Sequence, residues 1–322
     1  MSNVDLIEWW LHQFNLTKQD MNLLQSYETD FIITNKDYDI VREKALSMLP
    51  VRSIDYHIHF DTCATNIIDN LFFKYVDDDT LVITTMSEHP SVKKNLEKCK
   101  NVIYMCCNGK VIEDFYKQSD KIFKFKKVFV YNIALSVGDG HITYNDNLLE
   151  LKRNLDLLGI KSVFVLDAVQ ELFLLPRDYS IYDYVIGTSH ALIPNYDMGM
   201  LFGKEELSYK AGNWLKDFND CLKVLLRNRD KLYQLNVVMR QHFAKYTCFD
   251  KDLIDSSRAP YVYNLCDYKK RLDGLNDVDY ERGAVAPGDY TPVTFRACPF
   301  LAHQEKFLDR IQTIDNILES DM

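Results

Sequence analysis

The stretch Ser53–Val76, SIDYHIHFDTCATNIIDNLFFKYV, changes period partway along its length. Its first eight residues alternate as a β-strand does. Past the small-residue turn Thr62-Cys63-Ala64-Thr65, apolar residues recur at helical spacing. A strand, a tight turn and a helix in that order form the opening unit of an α/β domain.

The same cadence continues downstream. Strand-like runs follow at DTLVITT (79–85), NVIYMC (101–106), KVFVYNIAL (127–135), KSVFVLDAV (161–169) and DYVIGTS (183–189). Helical segments HPSVKKNLEKC (89–99) and NLLELKRNLDLLG (147–159) lie between several of them. Strands this apolar predict an α/β fold: a mostly parallel sheet with helices on both faces and ligands beyond the strands' carboxyl ends. The organisation expected is an N-terminal helical segment (1–48), a large α/β domain (49–205), a connecting helix (206–250) and a small C-terminal α+β domain (251–322). The last part is read from APYVYNLCDY (259–268), a turn region around Gly283 and APGDYTP, the strand in VTFRACPF (293–300), and the helix AHQEKFLDRIQTIDNIL (302–318).

Composition bounds the function. Apolar residues make up 47 % of the 322, enough for a sizeable core, and a net charge of −9 without a basic tract argues against nucleic-acid binding. The eight cysteines form no C-x-x-C pair, the first residues carry no secretory pattern, and no apolar run is long enough for a membrane span. A soluble cytoplasmic protein with reduced thiols is expected.

Several short motifs carry possible chemistry, each with a plainer reading beside it. His57 and His59 share one strand face, as a metal-ligand pair would, but the other histidines do not complete a set. A pair facing solvent or a helix layer is the preferred reading. The turn Thr62–Thr65 permits close backbone approach and leads into a helix N-terminus that would attract an anion; a helix cap by Thr62 or Thr65 explains it equally. Asp167, in VFVLDAVQ, ends an apolar strand, where a carboxylate needs a cation, with Gln170 three residues on; a helix N-cap is the alternative. His89, in TTMSEHPS, follows another strand and is alone an ordinary loop histidine. Thr188-Ser189-His190-Ala191 forms a polar turn after the strand DYVIGT.

Taken in order, these motifs resemble the class V aminotransferase and cysteine desulfurase family, pyridoxal 5'-phosphate (PLP) enzymes of fold type I. The family's S-G-A-T phosphate turn aligns with Thr62-Cys63-Ala64-Thr65, Cys63 replacing glycine. Its E-H histidine, which stacks on the cofactor ring, aligns with His89. Its D-A-x-Q aligns with Asp167, the partner of the ring nitrogen, and Gln170, toward the ring hydroxyl. Its S-x-H-K turn places Thr188 and His190 at the phosphate and Ala191 where the Schiff-base lysine belongs. NYDMGMLFGK (195–204) resembles the family's G-x-G-x-L strand. Arg296 resembles its late arginine for the substrate carboxylate, and Ser136 stands where a further cofactor contact is usual.

The resemblance implies PLP as cofactor, an amino-acid-like amine as substrate, and a homodimer. It implies aminotransferase, lyase or decarboxylase chemistry in an enzyme that the missing lysine inactivates. Three accounts of Ala191 stand: a lysine-to-alanine variant made to trap a complex, a natural pseudoenzyme, or a chance likeness. The intact motifs around it favour the first. A desulfurase would need a nucleophilic cysteine on a loop; Cys266 and Cys298 lie in strand-like runs, which disfavours that alternative.

Overall fold

The computed structural model describes residues 57–61, 63–85, 88–105, 120–133, 146–169, 179–188 and 199–205, three short strands further on, and scattered positions within 5–43, 231–242 and 308–316. Seven strands form one sheet: β1 (His57–Asp61), β2 (Thr80–Thr85), β3 (Val102–Met105), β4 (Lys127–Ile133), β5 (Lys161–Asp167), β6 (Tyr184–Thr188) and β7 (Gly199–Gly203). Their order is β1-β7-β6-β5-β4-β2-β3. Strands β3, β2, β4, β5 and β6 run parallel, while β7 is antiparallel to both β6 and β1. The six strands read from the sequence are all present, in the expected mostly parallel sheet.

Because β7 alone is reversed, its first residue lies at the same edge as the last residues of the others. The register puts Gly199 directly between Asp61 of β1 and Thr188 of β6. One row of the sheet thus gathers residues far apart in sequence.

Three helices are described in this region: α1 (Ala64–Tyr75), α2 (Pro90–Leu96) and α3 (Asp146–Leu157). Ile67, Ile68, Leu71 and Phe72 of α1 recur at helical spacing and pack on Phe129, Tyr131, Val165, Tyr184, Ile186 and Leu201 of the sheet. Each such side chain contributes about 1.5–3 kcal/mol by leaving water. Side chains alternate along a strand, so Phe164 faces away from α1, and there Lys152 of α3 sits 4.8 Å over its ring. Helices therefore cover both faces, as the sequence predicts.

Two polar clusters fix the layers at the edge opposite the strand carboxyl ends. At the foot of α1 one of the Tyr75 and Tyr184 hydroxyls donates to the other, and the two lie 3.2 and 3.1 Å from Glu205 Oε2, which accepts the remaining proton. Lys74 reaches the same oxygen at 3.2 Å. On the other face, the Asp183 carboxylate accepts the Phe164 N–H at 2.8 Å and Lys152 at 3.2 Å. Paired strand begins only at Val165 and Tyr184, so this carboxylate stands in for the missing ladder acceptor.

A second, antiparallel sheet has the order β8-β10-β9, with β8 (Val262–Asn264), β9 (Tyr280–Arg282) and β10 (Val293–Arg296). β9 is a strand the sequence does not announce: it is three residues long, two of them charged, directly before Gly283. The described positions 231–242 and 308–316 are helical, and His242 Nε2 lies 2.8 Å from Asp315 Oδ2, joining the two segments.

His59 belongs to the helix-facing layer. It pairs in register with Leu201, which pairs with Ile186, and both pack against α1; His59 itself is buried. Among the described residues, no three His, Cys, Asp or Glu side chains are placed to hold a metal ion, and no helix is long and apolar enough to cross a membrane.

Candidate active site

The carboxyl edge of the sheet brings together the β1–α1 turn, the β2–α2 turn, the end of β5 and the end of β6. Helix α1 begins at Ala64, with Cys63 as its N-cap in extended backbone (φ −156°). A non-glycine residue adopts that conformation without strain, so a cysteine is accommodated at this turn. The plainer reading, a cap by Thr62 or Thr65, is settled only for Thr65, because Thr62 lies outside the described residues. Cys63 makes no side-chain capping bond, and Thr65 is the second helical residue rather than the cap. The first turn also carries no acidic residue. Its N–H groups and the helix dipole present a positive end suited to an anion.

Gly199 sets the depth of this turn. A Cβ there would lie 2.6 Å from the Cys63 carbonyl carbon and oxygen and 2.7 Å from the Ala64 nitrogen. Only a residue without a side chain lets the backbone seat against β7 so closely. Thr188, buried, shares the row with Gly199.

Asp167 closes β5 on the same sheet face as Val165, the face α1 covers, and is 4 % exposed. Its Oδ2 accepts the Tyr131 hydroxyl at 2.7 Å and its Oδ1 accepts the Val169 N–H at 3.1 Å. The second bond is the local turn contact anticipated by the capping alternative; the first is not local. Burial raises the Asp167 pKa, opposed by the Tyr131 and Val169 bonds and by His89. The Tyr131 hydroxyl is held well above its ordinary value by burial, and then by the neighbouring Asp167 and Glu88 carboxyl groups. A buried carboxyl so placed is suited to a cation, whose charge would favour its carboxylate form.

His89 caps α2. Its Nδ1 accepts the Ser91 N–H at 3.2 Å and lies 2.8 Å from the Ser91 hydroxyl. That nitrogen therefore keeps its lone pair, and the ring proton sits on Nε2. Just before it, Glu88 is 0 % exposed and accepts the Thr85 hydroxyl at 2.7 Å.

Of the residues singled out in the sequence, Cys63, Ala64, Thr65, His89, Asp167 and Thr188 all stand at this edge. Gln170, Ser136, His190, Ala191, Thr62, Cys266 and Cys298 lie outside the described residues. Arg296 ends β10, its side chain likewise outside. Sequence reasoning overlooked Glu88, Tyr131 and Gly199. The first was readable in the E-H dipeptide and the last in MGMLFG, but nothing local pairs Tyr131 with Asp167.

Neither a protein-family model nor a curated protein matches the sequence. Solved structures do match its fold. Ureidoglycine–glyoxylate aminotransferase from Bacillus subtilis superposes with a TM-score of 0.68 at 10 % identity, over 95 % of this chain and 90 % of its own. A NifS-like protein from Rickettsia africae matches with a TM-score of 0.63 at 12 % identity, over 97 % and 96 %. Serine palmitoyltransferase from S. paucimobilis, solved with a bound PLP–myriocin aldimine, matches with a TM-score of 0.66 at 12 % identity, over 95 % and 84 %. The chain thus shares its fold with these three proteins.

Proposed function

We propose that this chain carries the binding apparatus of a fold type I PLP enzyme of the class V aminotransferase and cysteine desulfurase kind. Its substrate is an amino acid or amino-acid-like amine, and the chain itself is inactive at Ala191. The observation that carries the reading is Asp167, a buried carboxyl at the sheet's carboxyl edge whose described hydrogen-bond partners are only a phenol and a backbone N–H. That donor set fits a protonated ring nitrogen, and the N-terminus of α1, whose cap residue Cys63 makes no side-chain bond, fits a phosphate.

PLP, when bound, supplies an electron sink for bonds breaking at the amine-bearing carbon. The chain's residues do the rest. Asp167 holds the proton on the ring nitrogen, and Tyr131 and the Val169 N–H fix the direction of its oxygens. The N–H groups of α1 hold the phosphate with Thr65, Thr188 and His190, over the turn seated on Gly199. His89 covers the ring, its Nδ1 tied to Ser91 and its proton on Nε2. Gln170 orients the ring hydroxyl, Ser136 adds a cofactor contact, and Arg296 takes the substrate carboxylate. A methyl group at position 191 neither bonds to the cofactor nor carries a proton, so turnover stops there. The protein works as a soluble, cytoplasmic homodimer.

Ala191 itself favours a second reading, a non-catalytic binding protein of the same fold. Absorption spectra and mass spectrometry of the chain and of Ala191→Lys with added PLP decide between them and test both. The enzyme reading expects non-covalent uptake by the chain, and in Ala191→Lys a visible, borohydride-reducible band with covalent attachment and restored turnover of an amino acid. Uptake without turnover in the lysine variant supports the binding protein. No uptake by either protein overturns both.

A further inference from the structure

One buried acid beside Asp167 takes no part in the scheme above. Glu88 lies in the turn between β2 and α2 and is 0 % exposed. Its Oε1 accepts the Thr85 hydroxyl at 2.7 Å and the Thr85 N–H at 3.4 Å. Its Oε2 makes no well-directed hydrogen bond to a described residue, and neither does the buried Thr84 hydroxyl on the strand leading to it, although that hydroxyl lies near enough to the carboxyl to act on it. A carboxylate buried with one bare oxygen is strongly disfavoured, whereas a carboxylic acid places its proton on that oxygen.

The surroundings reinforce this. β4 lies between β2 and β5, and the register sets Val130 beside Ile83, Tyr131 beside Val165 and Ile133 beside Asp167. Tyr131 stands between the two acids and gives its proton to Asp167 alone. Among the described residues the titratable groups around Glu88 are Asp167 on β5, Tyr131 on β4 and the adjoining His89. Burial pushes Glu88 up to about 8, with the Asp167 charge acting in the same direction. Two acids this close resist ionising together.

We propose that Glu88 is a neutral, proton-bearing acid that acts as a positioning residue for Asp167. By keeping its proton it leaves Asp167 the one carboxylate of the buried cluster, so the site receives a single positive charge. In its cofactor aspect the proposal rests on the PLP reading, because Asp167 is there the partner of the ring nitrogen. The proton on Glu88 is a property of the protein without any ligand.

Infrared difference spectroscopy on ligand-free protein labelled with 13C-glutamate tests it. A protonated-carboxyl band that shifts with the label is expected at neutral pH, absent in Glu88→Gln and fading as the pH rises. In Asp167→Asn the band should fade at lower pH, because a charge that holds the proton on Glu88 has gone; a merely structural glutamate would show no such coupling. Added PLP supplies a separate arm. Glu88→Gln should bind it within about threefold of the parent at neutral pH, and Asp167→Asn at least about tenfold more weakly. No labelled protonated band in the parent, or a band that does not move in Asp167→Asn, overturns the proposal. Both readings use the parent and Asp167→Asn, so they stand if Glu88→Gln does not fold. Failure of the parent to bind PLP would sink the functional reading while the infrared result still decides the state of Glu88.

Discussion

Replacing Gly199 with alanine probes the seat of the anion turn. The new Cβ would stand 2.6 Å from the Cys63 carbonyl and 2.7 Å from the Ala64 nitrogen. Carbon contacts settle at about 3.5 Å or more, so the turn must retreat by nearly 1 Å. Overpacking of this kind costs about 1–3 kcal/mol of stability. The same retreat moves the first N–H groups of α1 out of hydrogen-bond range of a bound phosphate. A charge-assisted hydrogen bond contributes about 1.5–3 kcal/mol, so losing one weakens PLP binding by roughly 10- to 100-fold.

The control is Asp183→Ala at the opposite edge of the sheet. It strips the Phe164 N–H of its side-chain acceptor and leaves the half-buried Lys152 only the Ile181 carbonyl, and should destabilise by a similar amount, about 1–3 kcal/mol. It lies far from the turn, so PLP affinity should stay within about twofold of the parent. Urea unfolding gives the stabilities, and titration with PLP followed by absorbance gives the affinities. A folded Gly199→Ala that binds PLP as tightly as the parent would refute the reasoning. So would Asp183→Ala losing affinity to the same degree.

The remaining predictions concern stability. Glu88 is raised from its ordinary 4.5 to about 8. Between those values the folded chain holds a proton that the unfolded chain has released, so stability falls as pH rises through that window and levels off above it. From about pH 6 to about pH 9 the loss from this group is about 2–3 kcal/mol, and Glu88→Gln should lack it. Parallel stability curves for the two proteins would contradict the assignment. On α1, Phe72 packs 5.1 Å from the Phe129 ring and 5.6 Å from Tyr131, whereas its neighbour Phe73 is 91 % exposed. Phe72→Ala should cost about 3–5 kcal/mol and Phe73→Ala less than about 0.5, measured by urea unfolding. Equal effects at the two positions would mean that α1 packs by a different face.

The sheet was readable in the sequence because each of its strands is an apolar run bounded by turns, and parallel strands must have their carboxyl ends on one side. That single fact places Asp167, His89 and Thr188 at a common edge without any knowledge of their neighbours. Pairings across the sheet were not readable. Tyr131 meets Asp167 only because β4 and β5 lie in register with Ile133 beside Asp167, a property of two strands and not of either. The E-H dipeptide marks Glu88, but nothing local announces its burial, which depends on what the following helix covers. β9 carries too little apolar character to be distinguished from the turn beside it, and only its hydrogen bonds to β10 define it.

Helix α1 is fastened at both ends to the same pair of strands: at Gly199 where it begins, and at Tyr184 and Glu205 where it ends. Its 12 residues, about 18 Å long, behave as a strut whose head is the Cys63–Ala64 turn and whose foot, Tyr75, rests on the Tyr184 hydroxyl and Glu205. A strut transmits displacement along its length. The affinity of the head can therefore be tuned by residues at the foot that never touch a ligand, which gives this scaffold a way to adjust its grip while every contacting residue stays the same.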